Sequence, residues 1–385
     1  GASSGRVVAG NFTGETLTLE EIHRFENGGI VANDTMHWDL LNQWNEVKNG
    51  LHAASSKYGS QIVSVGVDTW GVDFGLLGSG DVLLGNPVHY RDRRTDGILE
   101  KAFEIVPREQ IFSQTGLQFM QFNSLFQLLA MKQQKSPLLD MAKSLLMMPD
   151  LFHWLLSGEK ANEYTNATTT QFFDPQKNDW ATSLLDAFGI PTSILGPAVQ
   201  PGTKLGVVRP SVASEIGLEN VQFVLPGTHD TASAVMAVPA TTTGQPRPDW
   251  CYISSGTWSL MGVEVPEPVV TPQCGELNFT NEGGVGGTIR LLKNIAGLWL
   301  VQECRRIWER EGRTSDWGQL TEAANTSEPL VSLINPDDAR FVAPDDMPAT
   351  IRQYCSETVQ PVPESDGAVI RCALESLALR YRMVL

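Results

Sequence analysis

The chain has 385 residues, 42% of them hydrophobic and 19% charged, with a net charge of −16. That length exceeds one ordinary core and predicts two domains. The acidic balance argues against a nucleic-acid or anionic-membrane surface, though not against a local basic pocket for a phosphorylated ligand.

No run approaches the roughly 18 apolar residues of a membrane span. The five cysteines form no CxxC pair, so a zinc site is not expected. An odd number of thiols without a secretory signal points to the cytoplasm. Gly1-Ala2-Ser3-Ser4-Gly5-Arg6 is neither a methionine start nor a signal peptide, and the last residues stop inside a helical pattern with no cap. Both ends therefore read as cut from a longer chain.

In chain order, residues 6–12 and 16–25 read as two strands around Thr13-Gly14-Glu15. The Gly/Ser loop before them lacks the lysine of a P-loop and is followed by a strand, yet its backbone N–H groups and hydroxyls suit phosphate. Residues 38–57 form the first clear helix, with Leu40, Leu41, Trp44, Val47, Leu51 and Ala54 on one face. A short apolar strand, 62–67, leads to Asp68-Thr69-Trp70-Gly71-Val72-Asp73-Phe74. Its two carboxylates fit either metal or sugar binding or turn capping, and its Gly lets backbone approach a ligand.

The basic cluster at 86–95 fits a polar pocket or internal Arg–Asp pairing. From 99 to 188 the pattern is mostly helical, over 99–106, 108–114, 123–134, 149–156 and 180–188, with a hydroxyl-rich patch at 165–171. That patch serves equally as a cap or a pocket wall.

Strands return at 206–209 and 222–225, and the second leads into Thr228-His229-Asp230-Thr231. This turn opens a small-residue helix. Asp230 in its first turn fits a helix cap, or a carboxylate that takes a proton from a hydroxyl beside a phosphate. The segment 241–248 is linker-like and marks the domain boundary. Beyond it comes a strand at 250–253, the loop Ser254-Ser255-Gly256-Thr257-Trp258-Ser259 and a second strand, a counterpart of the first Gly/Ser loop. Two such loops suit a polyphosphate gripped from both sides. A Gly-rich loop at 280–287 precedes a helix at 293–308 carrying Asn294 and Gln302, and helices at 350–358 and 368–385 follow. Cys355 and Cys372 fall on these last two, where they face each other or are two ordinary buried thiols.

Together these segments resemble the FGGY family of carbohydrate kinases. The likeness runs through the whole chain and rests on GASSGR (1–6), DTWGVDF (68–74), PVHYRDRRT (87–95), EYTNATTTQ (163–171), HDTASAV (229–235), SSGTWSLMG (254–262), TNEGG (280–284) and LKNIAGLWL (292–300). The wording of DTWGVDF, NATTTQ and SSGTWSLMG is nearest to the branch that acts on L-rhamnulose.

The resemblance implies an α/β, actin-like and ribonuclease-H-like fold. Two domains, 1–240 and 241–385, would flank a cleft, with the second incomplete at its C-terminus. It implies transfer of the γ-phosphoryl group of ATP, with Mg2+, to the 1-hydroxyl of L-rhamnulose in L-rhamnose breakdown. Asp230 would be the general base. Gly71, His229, Thr231 and Asn294 would contact the sugar. Ala2, Ser3, Ser4, Gly5, Arg6, Thr257 and Gln302 would hold the nucleotide, Asp68 and Asp73 would organise the metal or the sugar, and Cys355 and Cys372 would form a disulfide.

The alternatives are a kinase for L-fuculose, L-ribulose or D-xylulose, or a non-catalytic sugar- or nucleotide-binding protein of the same fold. The family's upstream strand with its metal-organising Asp, and its downstream adenine loop, have no counterpart in these residues. A chain ending here is therefore expected to show weak or no kinase activity and to expose apolar surface.

Overall fold

The first Gly/Ser loop runs into an antiparallel hairpin, Ser4–Phe12 against Leu17–Glu26, with Ser4 opposite Glu26 and Phe12 opposite Leu17. This computed structural model describes residues 1–313 and 316–385. A second hairpin, Gly29–Ala32 with Thr35–Trp38, turns through Asn33 and Asp34, both at positive φ. Its turn is made by the residue types that tolerate the left-handed region, Asn and Asp.

Asp39 then caps the helix Leu40–Tyr58, accepting from the Asn42 N–H. Leu40, Gln43, Gly50, Leu51 and Ala54 are its buried positions. At Gly50 a Cβ would fall 2.4 Å from Val7 Cγ2, so only glycine lets the helix lie this close to the first hairpin.

The chain folds into two compact units, Gly1–Asp249 with Glu264–Leu291, and Trp250–Val263 with Leu292–Leu385. In the first unit the strands Lys204–Val207, Gln222–Val224 and Ser64–Val65 form one sheet, the last pair parallel. A parallel pair needs a long crossover, and the helices from Ile98 to Ser157 fall within it. They include Ile98–Ile105, Arg108–Thr115, Ser124–Gln133 and Met148–Ser157. Ser124–Gln133 is buried at every position from Ser124 to Met131, as a helix enclosed on all sides must be. Phe112, Leu125, Phe126, Phe172, Phe173 and Leu185 pack into the cluster around it.

In the second unit the helices Trp299–Arg310, Trp317–Thr326, Met347–Glu357 and Asp366–Val384 enclose Leu300, Cys304, Trp308, Ile351, Val369 and Leu377. No helix among the described residues is long and apolar enough to cross a membrane.

Several expectations change in the structure. The Gly-rich segment at 280–287 begins as a strand, Thr280–Gly283, and 293–308 is not one helix. Asn294 lies on the strand Ile289–Ala296 and Gln302 on the helix Trp299–Arg310, with Gly297 between them. A Cβ at Gly297 would sit 2.6 Å from the Trp258 carbonyl carbon, so the chain must break its regular structure there. The sheet order is Tyr252–Ser255, Trp258–Val265, Ile289–Ala296, Thr280–Gly283.

The segment Glu264–Leu291, beyond the expected boundary at 240/241, packs as part of the first unit. Asn281 and Gly283 show why. Asn281 Nδ2 donates to the Gly116 carbonyl at 2.8 Å, and the Gly283 N–H donates to Thr168 Oγ1 at 2.8 Å.

Candidate active site

The expected catalytic turn is held at three successive backbone N–H groups. That of Thr228 donates to Glu163 Oε2 at 3.0 Å, that of His229 to Thr165 Oγ1 at 3.1 Å, and that of Asp230 to the Thr69 carbonyl at 2.8 Å. Thr69 N–H returns a bond to the Thr228 carbonyl at 2.9 Å, so Thr69 and His229 form a parallel bridge. His229 is the N-cap of the helix Asp230–Met236, and no side chain caps it. The role of Asp230 as a cap is thereby replaced. Its side chain is 36% exposed and takes a 3.3 Å bond from the Thr231 hydroxyl. The first Gly/Ser loop starts at this carboxylate, since a Cβ on Gly1 would lie 3.8 Å from Asp230 Oδ2. Ala2–Arg6 continue from there into the first hairpin.

His229 is held from its other side. Arg290, fully buried, brings Nη2 to 3.1 Å from His229 Nδ1 and 3.2 Å from Glu282 Oε2. A guanidinium offers only donors. Nδ1 also lies 3.3 Å from Glu282 Oε2, an acceptor, so this nitrogen faces both a donor and an acceptor, while Nε2 lies 3.7 Å from Asp230 Oδ1. Sequence reasoning quoted TNEGG but gave Glu282 and Arg290 no role. A lone Glu and a lone Arg on a strand carry no signal until the fold pairs them.

Asp68 is an exposed residue, yet the protein packed around it removes water from its carboxyl. Desolvation first, and then the Asp230 carboxylate, raise its carboxyl above the ordinary range, against the pull of His229 and Arg6. A recess of about 750 Å³ in this unit runs from Asp68 and Trp70 past Gly5 and Arg6, between the hairpin and the Leu40–Tyr58 helix.

At Gly71 a Cβ would meet Thr169 at 3.0 Å, and the next residue, Val72, sits at φ 65°, a costly conformation for a β-branched residue. Thr169 Oγ1 accepts from Val72 N–H at 3.0 Å and Ser124 Oγ donates to its carbonyl at 2.5 Å, which holds the strain in place.

Asp73 is a correction. It is wholly buried, accepting from Trp38 Nε1 at 2.6 Å, Trp70 Nε1 at 3.0 Å, Gln127 Nε2 at 2.9 Å and the Tyr90 N–H at 3.2 Å. It braces the aromatic group around Trp38 and reaches neither metal nor sugar. The basic cluster is likewise largely internal. Arg94 Nη2 donates to Gln127 Oε1 at 2.6 Å, and Asp92 accepts from the N–H groups of Arg94 and Met36.

In the second unit Thr257 Oγ1 donates to Gln302 Oε1 at 3.3 Å. The SSGTWS turn is tied by Gly256 N–H to the Trp258 carbonyl, Leu298 N–H to the Gly256 carbonyl and Trp299 N–H to the Thr257 carbonyl. The two expected nucleotide contacts therefore adjoin, with Asn294 on the preceding strand. Cys355 and Cys372, the pair for which the resemblance implies a disulfide, stand as two buried thiols. They adjoin, with the Cys372 thiol donating to Cys355. Burial pushes the Cys372 thiol up to about 12.

The model of the FGGY carbohydrate kinase N-terminal domain matches residues 1–237, and that of the C-terminal domain matches residues 251–385. The chain belongs to the FGGY family of carbohydrate kinases. Among FGGY relatives, it is 45% identical over 385 residues to a protein of Bacteroides thetaiotaomicron named rhamnulokinase, covering all of this chain and 77% of that one. It is 41% identical to a rhamnulokinase of Oceanobacillus iheyensis, covering all of this chain and 79% of that one. A ligand-bound xylulose kinase from Lactobacillus acidophilus superposes with a TM-score of 0.70 at 16% identity, over 85% of this chain and 64% of that one. At that identity the likeness is one of fold, the two-domain α/β fold of FGGY kinases.

Proposed function

We propose that the protein transfers the γ-phosphoryl group of ATP to the 1-hydroxyl of L-rhamnulose, giving L-rhamnulose 1-phosphate and ADP. The observation that carries this reading is the uncapped, solvent-open Asp230 carboxylate beside the first Gly/Ser loop, in a chain 45% identical to a rhamnulokinase. Asp230 takes the proton of the 1-hydroxyl as its oxygen bonds to the γ-phosphorus, and the bond to ADP breaks. Phosphoryl transfer asks mainly for alignment and charge neutralisation.

The His229 ring, the Thr231 hydroxyl, the Gly71 backbone and the Asn294 amide orient the sugar. Ala2–Arg6 and Thr257 receive phosphate oxygens through N–H and hydroxyl donors, with Gln302 on the nucleotide side. The residues also fit Mg2+. The Asp68 and Asp230 carboxylates are close enough for one to raise the other, and no group of three or more metal-binding side chains occurs among the described residues. One or two carboxylates with phosphate oxygens are the usual donors for this ion. Asp68 would hold it, and it would neutralise charge on the transferring phosphoryl group. The five free cysteines fit the reducing cytoplasm.

A coupled ADP-release assay with Mg-ATP tests the reading, comparing L-rhamnulose with L-fuculose, L-ribulose, D-xylulose and glycerol. The expected result is the highest kcat/KM for L-rhamnulose. A preference for another sugar overturns the substrate, and no sugar-dependent release from folded protein overturns the kinase reading. Asp230→Asn is expected to lower kcat by about 10²–10⁴-fold, the usual worth of a general base, with sugar binding retained. Normal turnover by that variant removes Asp230 as the base.

A further inference from the structure

Glu163 is fully buried on the two-residue strand Asn162–Glu163, and nothing in the proposed chemistry touches it. A buried carboxylate is costly unless hydrogen-bonded, and this one is bonded on a single oxygen. Glu163 Oε2 accepts from Thr165 Oγ1 at 2.6 Å, Thr228 Oγ1 at 2.7 Å, the Thr228 N–H at 3.0 Å and the Asn166 N–H at 3.3 Å.

Thr165 is the informative partner. A hydroxyl has one proton, and Thr165 directs it at Glu163. Its lone pairs are then free to accept the His229 N–H at 3.1 Å. Two of the three successive N–H groups that lead into Asp230 therefore depend on one carboxylate, Thr228 directly and His229 through Thr165. The helix behind Asp230 is only seven residues long and has no side-chain cap. So short a helix does not define its own start, and the direction in which it begins is imposed from outside.

The neighbouring Asp150, also buried, accepts the Glu163 N–H through both oxygens, at 3.2 and 3.3 Å. Burial, and then Glu163, push its carboxyl well above the ordinary range.

We propose that Glu163 is a positioning residue for the phosphoryl-transfer base. Directly and through the Thr165 hydroxyl, it locks the backbone of the Thr228–His229 turn and so aims the Asp230 carboxylate. The inference rests on Asp230 being the base. Misplacement of a reacting group by about 1 Å costs about 10²-fold, and that loss falls on kcat more than on sugar KM.

Thr165→Val, Glu163→Gln and Glu163→Leu are measured beside Asp230→Asn, with kcat referred to the folded fraction from circular dichroism. Thr165→Val removes the relay while filling nearly the same volume. It is expected to lower kcat at least about 10-fold with sugar KM within about twofold. Glu163→Gln keeps an acceptor oxygen and is expected to recover part of the kcat that Glu163→Leu loses. If Glu163→Leu does not fold, Thr165→Val and Glu163→Gln decide. Wild-type kcat per folded molecule in both, with Asp230→Asn inactive, overturns the positioning role and leaves the base standing. A fall in activity only in step with the folded fraction overturns it equally. Turnover by Asp230→Asn overturns the reading beneath it.

Discussion

At the scale of single residues, the two carboxylates of DTWGVDF part company. Both were candidates for metal or sugar, five positions apart. Asp68 lies near enough to feel the charge of Asp230, while Asp73 turns inward to four donors. Asp73→Asn places an amide NH2 where only acceptors are wanted. It is expected to lower the free energy of unfolding by about 2–3 kcal/mol, the cost of stranding buried donors of a charged group. Urea unfolding monitored by the fluorescence of Trp38 and Trp70 measures it. An unchanged midpoint shows that Asp73 does not brace this cluster. The split between the pair was not legible in the sequence, because Trp38 and Gln127, which capture Asp73, lie far along the chain in either direction. At Gly71 the sequence suggested a backbone approach to a ligand, and the neighbour that the fold places against it is the Thr169 side chain.

At the scale of elements, the SSGTWS turn and the Gly297 turn are one unit. The Leu298 and Trp299 N–H groups close on the carbonyls of Gly256 and Thr257, and Gly297 packs against the backbone of Gly256, Trp258 and Ser259. Gly297→Ala drives a methyl into backbone that cannot yield. It is expected to cost about 1–3 kcal/mol of stability, as overpacking does, and to raise KM for ATP more than KM for sugar. Thermal unfolding together with the two KM values checks this, and an equal rise in both KM values separates the turn from the nucleotide. The first hairpin, the Leu40–Tyr58 helix and the Met347–Glu357 and Asp366–Val384 helices follow from local periodicity and caps, whereas the second hairpin was not legible. The 293–308 segment did not. Its apolar stripe suits a helix throughout, and only the neighbouring strands recruit Ile289–Ala296 into a sheet.

At the scale of the whole molecule, stability reports how buried groups titrate. His153 is buried, accepts the Val67 N–H at Nε2 at 3.0 Å, and is held down to about 3 by desolvation. It is neutral in the fold, whereas unfolded histidine binds a proton below about pH 6.5. The unfolded state therefore binds more protons, so the contribution of His153 is complete above about pH 6.5 and is lost as pH falls toward 3. At about pH 4.5 the loss is about 2–3 kcal/mol, at about 1.4 kcal/mol per unit. His153→Gln keeps an acceptor for Val67. It is expected to be less stable than the parent at pH 7 and to lose less between pH 7 and 4.5. Parallel acid limbs in urea titrations of the two proteins show that His153 does not titrate in unfolding.

By itself the sequence determined the family, the first hairpin and the Gly-bearing turns, and which residue types stand ready for phosphate and for a proton. Those depend on neighbours a few positions apart. Only the tertiary structure decided that Glu163, Thr165 and Thr69 hold the turn before Asp230, that Arg290 and Glu282 hold His229, and that Glu264–Leu291 packs with the first unit. A buried polar group must find its partners wherever the fold brings donors and acceptors together. That pairing leaves no periodicity in the chain to read.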